Sequence, residues 1–125
     1  MPKFSDRELD VMSVLWDLGD ATVAEVQERL PDALAYTTVL TVLRTLEEKG
    51  HVGHRPGEGR AYRYHAKVGR EAAGSSVLDR MLDRVFGGSP ELLLTQLVSD
   101  RDLSAAELER MRRLLDERLG KEEDR

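Results

Sequence analysis

Three capping boxes, each a hydroxyl residue followed three positions later by glutamate, punctuate this chain: Ser5-Asp6-Arg7-Glu8, Thr22-Val23-Ala24-Glu25 and Ser104-Ala105-Ala106-Glu107. In such a box the hydroxyl accepts from the backbone N–H of the glutamate, and the carboxylate reaches back to the N–H of the hydroxyl residue. Each box is therefore a helix start. After the first come Leu9, Val11, Met12, Leu15, Trp16 and Leu18 at spacings of three and four, with Gly19-Asp20 as a stop, which predicts a helix over about 5–18. After the second come Val26 and Leu30, and Pro31-Asp32 closes a short helix over about 22–30.

Between boxes two and three the punctuation changes. The stretch AYTTVLTVLRTLEEKG predicts a helix from about Tyr36 to Lys49, with Gly50 just past its end, where a left-handed residue is favoured. Residues 51–55 and 61–65 then flank Pro56-Gly57-Glu58-Gly59-Arg60, the signature of a β-hairpin. Three helices followed by a hairpin is the element order of a winged helix-turn-helix. Beyond Lys67, Val77, Leu78, Met81, Leu82, Val85 and Phe86 form one stripe ended by Gly87-Gly88. Ser89-Pro90 restarts a helix carrying Leu92, Leu93, Leu94, Leu97 and Val98, and the third box opens one with Leu108, Met111, Leu114, Leu115 and Leu119. The charged end KEEDR is expected to fray.

The fold expected is mostly α with a small β-hairpin: a winged helix-turn-helix head over 1–68 and a three-helix C-terminal dimerisation region over 69–125. About fifty residues seldom bury enough surface to stand alone, so the tail stripes need cover. They either fold back on the head or meet a second chain in a symmetric homodimer. Val77, Leu78, Met81, Leu82, Val85, Leu93, Leu97, Leu108, Met111 and Leu115 are the candidate interface residues.

Composition narrows the function classes. There is no cysteine, so disulfides, thiolate nucleophiles and cysteine metal sites are excluded. No run approaches the ~18 apolar residues of a membrane span, and the N-terminus lacks the apolar stretch of a secretion signal, so a cytoplasmic protein without membrane insertion is expected. No cofactor and no catalytic residue is expected, because the carboxylates lie at caps and salt-bridge spacings and no nucleophile, base and metal site converge. His51 and His54 stand three apart on a strand and point to opposite faces, which argues against a shared metal. The net charge is −5, yet residues 44–70 hold seven Lys and Arg, three acids and all three histidines. A nucleic-acid reading therefore rests on how charge is distributed, and this is the one basic segment.

Threonine is a poor helix former, and the third helix spends four positions on it. Advancing 100° per residue from Thr37 puts Val39, Val42, Leu43 and Leu46 between about 140° and 240°. Thr37, Thr38, Thr41, Arg44, Thr45 and Glu48 fall on the arc from about 340° to 100°. A low, hydroxyl-rich face with one arginine suits the DNA major groove, where threonine bonds base edges or phosphates, its methyl meets thymine, and arginine favours guanine. Tyr36, Arg55, Arg60, Arg63 and Lys67 are placed to contact phosphates beside it. The same module binding protein instead of double-stranded DNA is the alternative, since fold alone does not fix function.

Four segments in order, SDRELDVMSVLW at 5–16, AYTTVLTVLRTLEEKGHV at 35–52, RAYRYHA at 60–66 and, after Gly87-Gly88 and a leucine-rich turn, RDLSAAELERMRRLL at 101–115, resemble the penicillinase and methicillin-resistance repressors, the BlaI/MecI/CopY family. The resemblance implies a homodimeric repressor whose winged-helix heads bind the halves of a palindromic operator and whose helical tails exchange contacts. It also implies, for the β-lactam branch, release by cleavage under a membrane sensor metalloprotease, between Asn and Phe in the leucine-rich helix. The matching pair here is Gln96 and Leu97, and the chain has no asparagine. The copper branch carries a C-terminal cysteine motif that is absent here, and some relatives have arginine where Thr45 stands.

Overall fold

Ser5 opens the first helix as its box requires: its Oγ accepts from the Glu8 N–H at 3.1 Å, and Glu8 Oε1 accepts from the Ser5 N–H at 2.8 Å. The computed structural model describes residues 3–124. Over these, α1 spans Asp6–Leu18, β1 Asp20–Ala21, α2 Val23–Arg29, α3 Tyr36–Glu48, β2 Val52–Pro56, β3 Tyr62–Ala66, α4 Arg70–Arg84, α5 Pro90–Asp100 and α6 Ala105–Glu123. All three predicted boxes form in full, at Ser5, Thr22 and Ser104, and Ser89 Oγ caps α5 by accepting from the Leu92 N–H. Gly50, at φ +84°, ends α3 with the His51 N–H donating back to the Leu46 carbonyl at 2.9 Å, a closure that a left-handed residue makes possible.

The sheet and the charged end both depart from what the sequence predicts. The wing is not a lone hairpin: β1 pairs antiparallel with β3, giving a three-stranded sheet in the order β1-β3-β2. A two-residue strand has no periodicity to detect, and Gly19-Asp20 reads locally as a helix stop. Of the charged end, Arg125 lies outside the described residues, and α6 continues past Lys121 through Glu123, with Arg118 and Glu122 paired at 3.2 Å across one turn.

The chain divides into two compact units, one ending at Met81 and the other beginning at Leu82. In the first, Val11, Met12, Leu15, Val26, Val39, Leu43, Leu46 and Val52 are fully buried and draw α1, α2, α3 and β2 onto one core, joined by Tyr64 of β3 and Ala73 of α4. The start of α4 is held here by the Trp16 indole, which donates to the Val68 carbonyl at 2.9 Å, and by Arg70, which lies over the Trp16 ring and pairs with Asp17.

The recognition-helix candidate α3 is also tied at its C-terminal end. Lys49 Nζ stands 2.9 Å from both oxygens of Glu8, itself only 5% exposed. Burial pushes the Glu8 carboxyl up, but the Ser5 amide and Lys49 outweigh it and hold it below its usual 4.5. Asp20 is held low by Arg63, and Glu25 by the Thr22 amide and then Arg63. A carboxyl that binds its proton more weakly when folded stabilises the fold above its ordinary pKa and loses that contribution as pH falls through its folded value. The Tm read from Trp16 fluorescence is therefore expected to fall from about pH 5 to pH 3. Glu8→Gln is expected to lower the Tm at neutral pH and flatten that acid limb; a limb of unchanged steepness would assign it to other carboxylates.

Candidate nucleic-acid interface

A helix that packs on one side and touches water on the other divides its side chains by angle. The predicted division of α3 is present: Val39, Leu43 and Leu46 are buried, while Tyr36, Thr37, Thr38, Thr41, Arg44 and Glu48 are exposed and Thr45 is half-buried. The threonines settle into the helix through its own backbone. Thr41 Oγ1 donates to the Thr37 carbonyl at 2.9 Å and Thr45 Oγ1 to the Thr41 carbonyl at 3.0 Å. With the hydroxyl hydrogens committed to the backbone, the lone pairs of these oxygens are left to act as acceptors. Such a surface can accept from a base amino group or touch a thymine methyl. Arg44 has no hydrogen-bond or ion-pair partner among the described residues, so its fork is free.

The start of α3 is also open. Ala35 provides no side-chain cap, unlike Ser5, Thr22, Ser89 and Ser104 at the starts of α1, α2, α5 and α6. The Thr38 amide donates to the Ala35 carbonyl at 3.1 Å, which leaves the amides of Tyr36 and Thr37 as the ones a phosphate at the helix start could meet. The turn leading into it is braced, since Gln27 Nε2 donates to the Leu34 carbonyl at 2.9 Å and Arg7 pairs with Asp32.

Between α3 and the wing lies a groove of about 430 Å³ bounded by Tyr36, Arg44, Glu47, His54, Arg60 and Tyr62. His54 Nδ1 lies 2.5 Å from Glu47 Oε2, and its ring packs on Tyr62 with centroids 4.5 Å apart, so the wing is coupled to α3 across this groove. His51, by contrast, packs on Phe4, so the two histidines go to separate surroundings. Tyr64, at the floor, has its phenol pushed up by burial and by the Glu47 charge, which keeps it neutral.

The four basic candidates of the wing separate. Arg60 at the tip and Lys67 are exposed and unpaired among the described residues. Arg55 pairs with Asp20 yet stays largely exposed. Arg63 departs from the expectation of a phosphate contact. Its Nε and one terminal nitrogen donate to Asp20 Oδ1 at 3.0 and 2.9 Å, and the other donates to Glu25 Oε1 at 2.9 Å, so its fork is consumed within the head.

A family model described as penicillinase repressor matches residues 4–117. The chain belongs to the penicillinase repressor family. A curated family member, the penicillinase repressor of Bacillus licheniformis, is 25% identical over 126 residues, covering 99% of this chain and 98% of that one. Solved structures show the same fold at lower identity. The FabT–DNA complex of Streptococcus pneumoniae is 20% identical over 98% of this chain and 78% of that chain, at a TM-score of 0.52. A MarR variant from E. coli is 17% identical over 94% and 79%, at 0.55. The head is thus a winged helix-turn-helix, and the penicillinase repressor family is one of transcriptional repressors, not enzymes.

In this family member no tail candidate is fully buried. No residue of α5 or α6 is buried. Val85, Leu97, Leu108 and Leu115 are exposed, as are Leu78 and Met81 at the end of the first unit, and Val77, Leu82, Leu93 and Met111 are half-covered. Gln96 and Leu97 lie within α5, both exposed. Two acids that matter at the wing, Asp20 and Glu25, read in the sequence only as a helix stop and a capping residue, with no link to the wing. The only signal for them was an excess of arginines on the hairpin strands.

Proposed function

We propose that this chain is a sequence-specific transcriptional repressor that binds double-stranded operator DNA as a homodimer, one head to each half of a palindrome. The observation that carries this is the outward face of α3, where Arg44 stands among short threonines beside a wing with Arg60 at its tip, both arginines unpaired among the described residues. The net charge is negative, so the attraction to phosphate is local to the head. Release by proteolysis in the tail would have to use Gln96–Leu97, because the asparagine–phenylalanine pair that the resemblance implies for the β-lactam branch is missing from a chain without asparagine.

Homodimerisation rests on the tail. Leu108, Met111, Leu115 and Leu119 fall at intervals of three, four and four on α6, within an arc of about 80°, and all lie at or near the surface. Such a seam is the pattern by which one helix packs on another.

The test is a binding titration of the chain with its own promoter region at several salt concentrations. Affinity is expected to fall steeply with salt, and Arg60→Ala to weaken all sequences alike and reduce the salt slope by about one. Thr38→Ala with Thr41→Ala is expected to change which base pairs are preferred. Binding indifferent to DNA sequence and to the threonine pair would point instead to a protein partner for the same surface.

A further inference from the structure

The pairing register sets Arg55 of β2 directly opposite Arg63 of β3, two like charges on neighbouring strands. Such a pair destabilises a hairpin unless an anion stands between them. Asp20 of β1 is that anion, with Oδ2 on Arg55 and Oδ1 on Arg63. Arg63 in turn reaches Glu25, whose same Oε1 accepts from the Thr22 N–H at 3.3 Å in the box that starts α2. The chain of contacts runs from the wing strands through one guanidinium to the first helix of the helix-turn-helix.

Building on the DNA-binding reading above, we infer that Asp20 and Glu25 are positioning residues for DNA recognition: through Arg63 they fix the wing, and with it Arg60, against the helix-turn-helix. Arg63 acts here as a fork, not as a phosphate contact, because the planar guanidinium spans two carboxylates as a lysine ammonium cannot. A consequence runs against simple electrostatics. Removing an acid from a DNA-binding head ordinarily tightens binding. Here Asp20→Asn frees two arginines and yet is expected to weaken it.

The experiment measures promoter affinity for the full chain, for Asp20→Asn, Arg63→Lys and Arg60→Ala, and for Asp20→Asn combined with Arg60→Ala. Each single change is expected to weaken binding about tenfold, and the double no more than about twofold beyond the weaker single, because both act through one contact. A general loss of stability would not produce that saturation. Tighter binding by Asp20→Asn, full retention by Arg63→Lys, or additive losses in the double would each overturn the inference. Hydrogen exchange of the β2 and β3 amides in Asp20→Asn gives a readout independent of DNA. Faster exchange there is expected, and unchanged exchange overturns the bracket itself. If the unmodified chain shows no sequence preference, the repressor reading fails, and the exchange result alone then decides whether Asp20 holds the wing.

Discussion

Leu115→Asp is expected to convert the full chain from dimer to monomer in sedimentation, with the fold of each chain intact. The side chain is 51% exposed in the single chain, so a carboxylate there remains hydrated and costs the monomer little. In a dimer sealed along Leu108, Met111, Leu115 and Leu119 the same carboxylate would be taken out of water twice, once from each protomer. Uncompensated burial of an ion costs several kcal/mol even after relaxation, enough to shift the dimer equilibrium by roughly three orders of magnitude. Affinity for a palindromic promoter should fall by about a hundredfold or more, because the second head no longer binds at the effective concentration set by the first. The leucine seam is refuted as the interface if Leu115→Asp sediments like the unmodified chain. A monomer that keeps full promoter affinity would instead separate dimerisation from repression.

What the sequence made legible follows from how local each cause is. The starts of α1, α2 and α6 depend on groups three residues apart, so Ser5, Thr22 and Ser104 could be read directly and form as read. The two faces of α3 depend only on its 3.6-residue period, and they too are present. The strands lie one residue later than read, with Pro56 ending β2; β2 is an edge of the sheet, where the missing proline N–H leaves no partner unsatisfied. The Asp20–Arg63 bracket joins residues far apart in sequence, and nothing near either one announces the other. An arginine on a basic hairpin reads as a phosphate contact until the fold supplies the acid, as it does at Arg63. The tail is the converse case. Its apolar stripes are visible in the sequence, and no residue of α5 or α6 is buried in the single chain.

The two sides of α3 should fail in different ways, and one pair of variants separates them. Leu43 is fully buried beneath the helix, with Val39 and Leu46 on the same side. Leu43→Ala removes three carbons and leaves a cavity that the surrounding core closes only in part, at about 2–5 kcal/mol. That is a large share of the ~5–15 kcal/mol available to a domain, and in a head of this size it corresponds to a fall of roughly 10–30 °C in Tm. Promoter binding should then disappear near the new transition and return on cooling, because the contact face is unchanged. Arg44→Ala touches no packing, and its Tm should stay within about 2 °C of the unmodified chain, since surface changes away from special features usually stay within ±0.5 kcal/mol. Its promoter affinity should nonetheless fall ten- to a hundredfold at every temperature below the transition, the loss of one arginine–base contact worth about 1–3 kcal/mol, and discrimination should relax at a single base pair. If Arg44→Ala lost binding only in proportion to unfolded protein, its role would be structural and the outward face of α3 would lose its reader. If Leu43→Ala failed to recover binding on cooling, the core beneath α3 would be setting the geometry of the contact face as well as its stability.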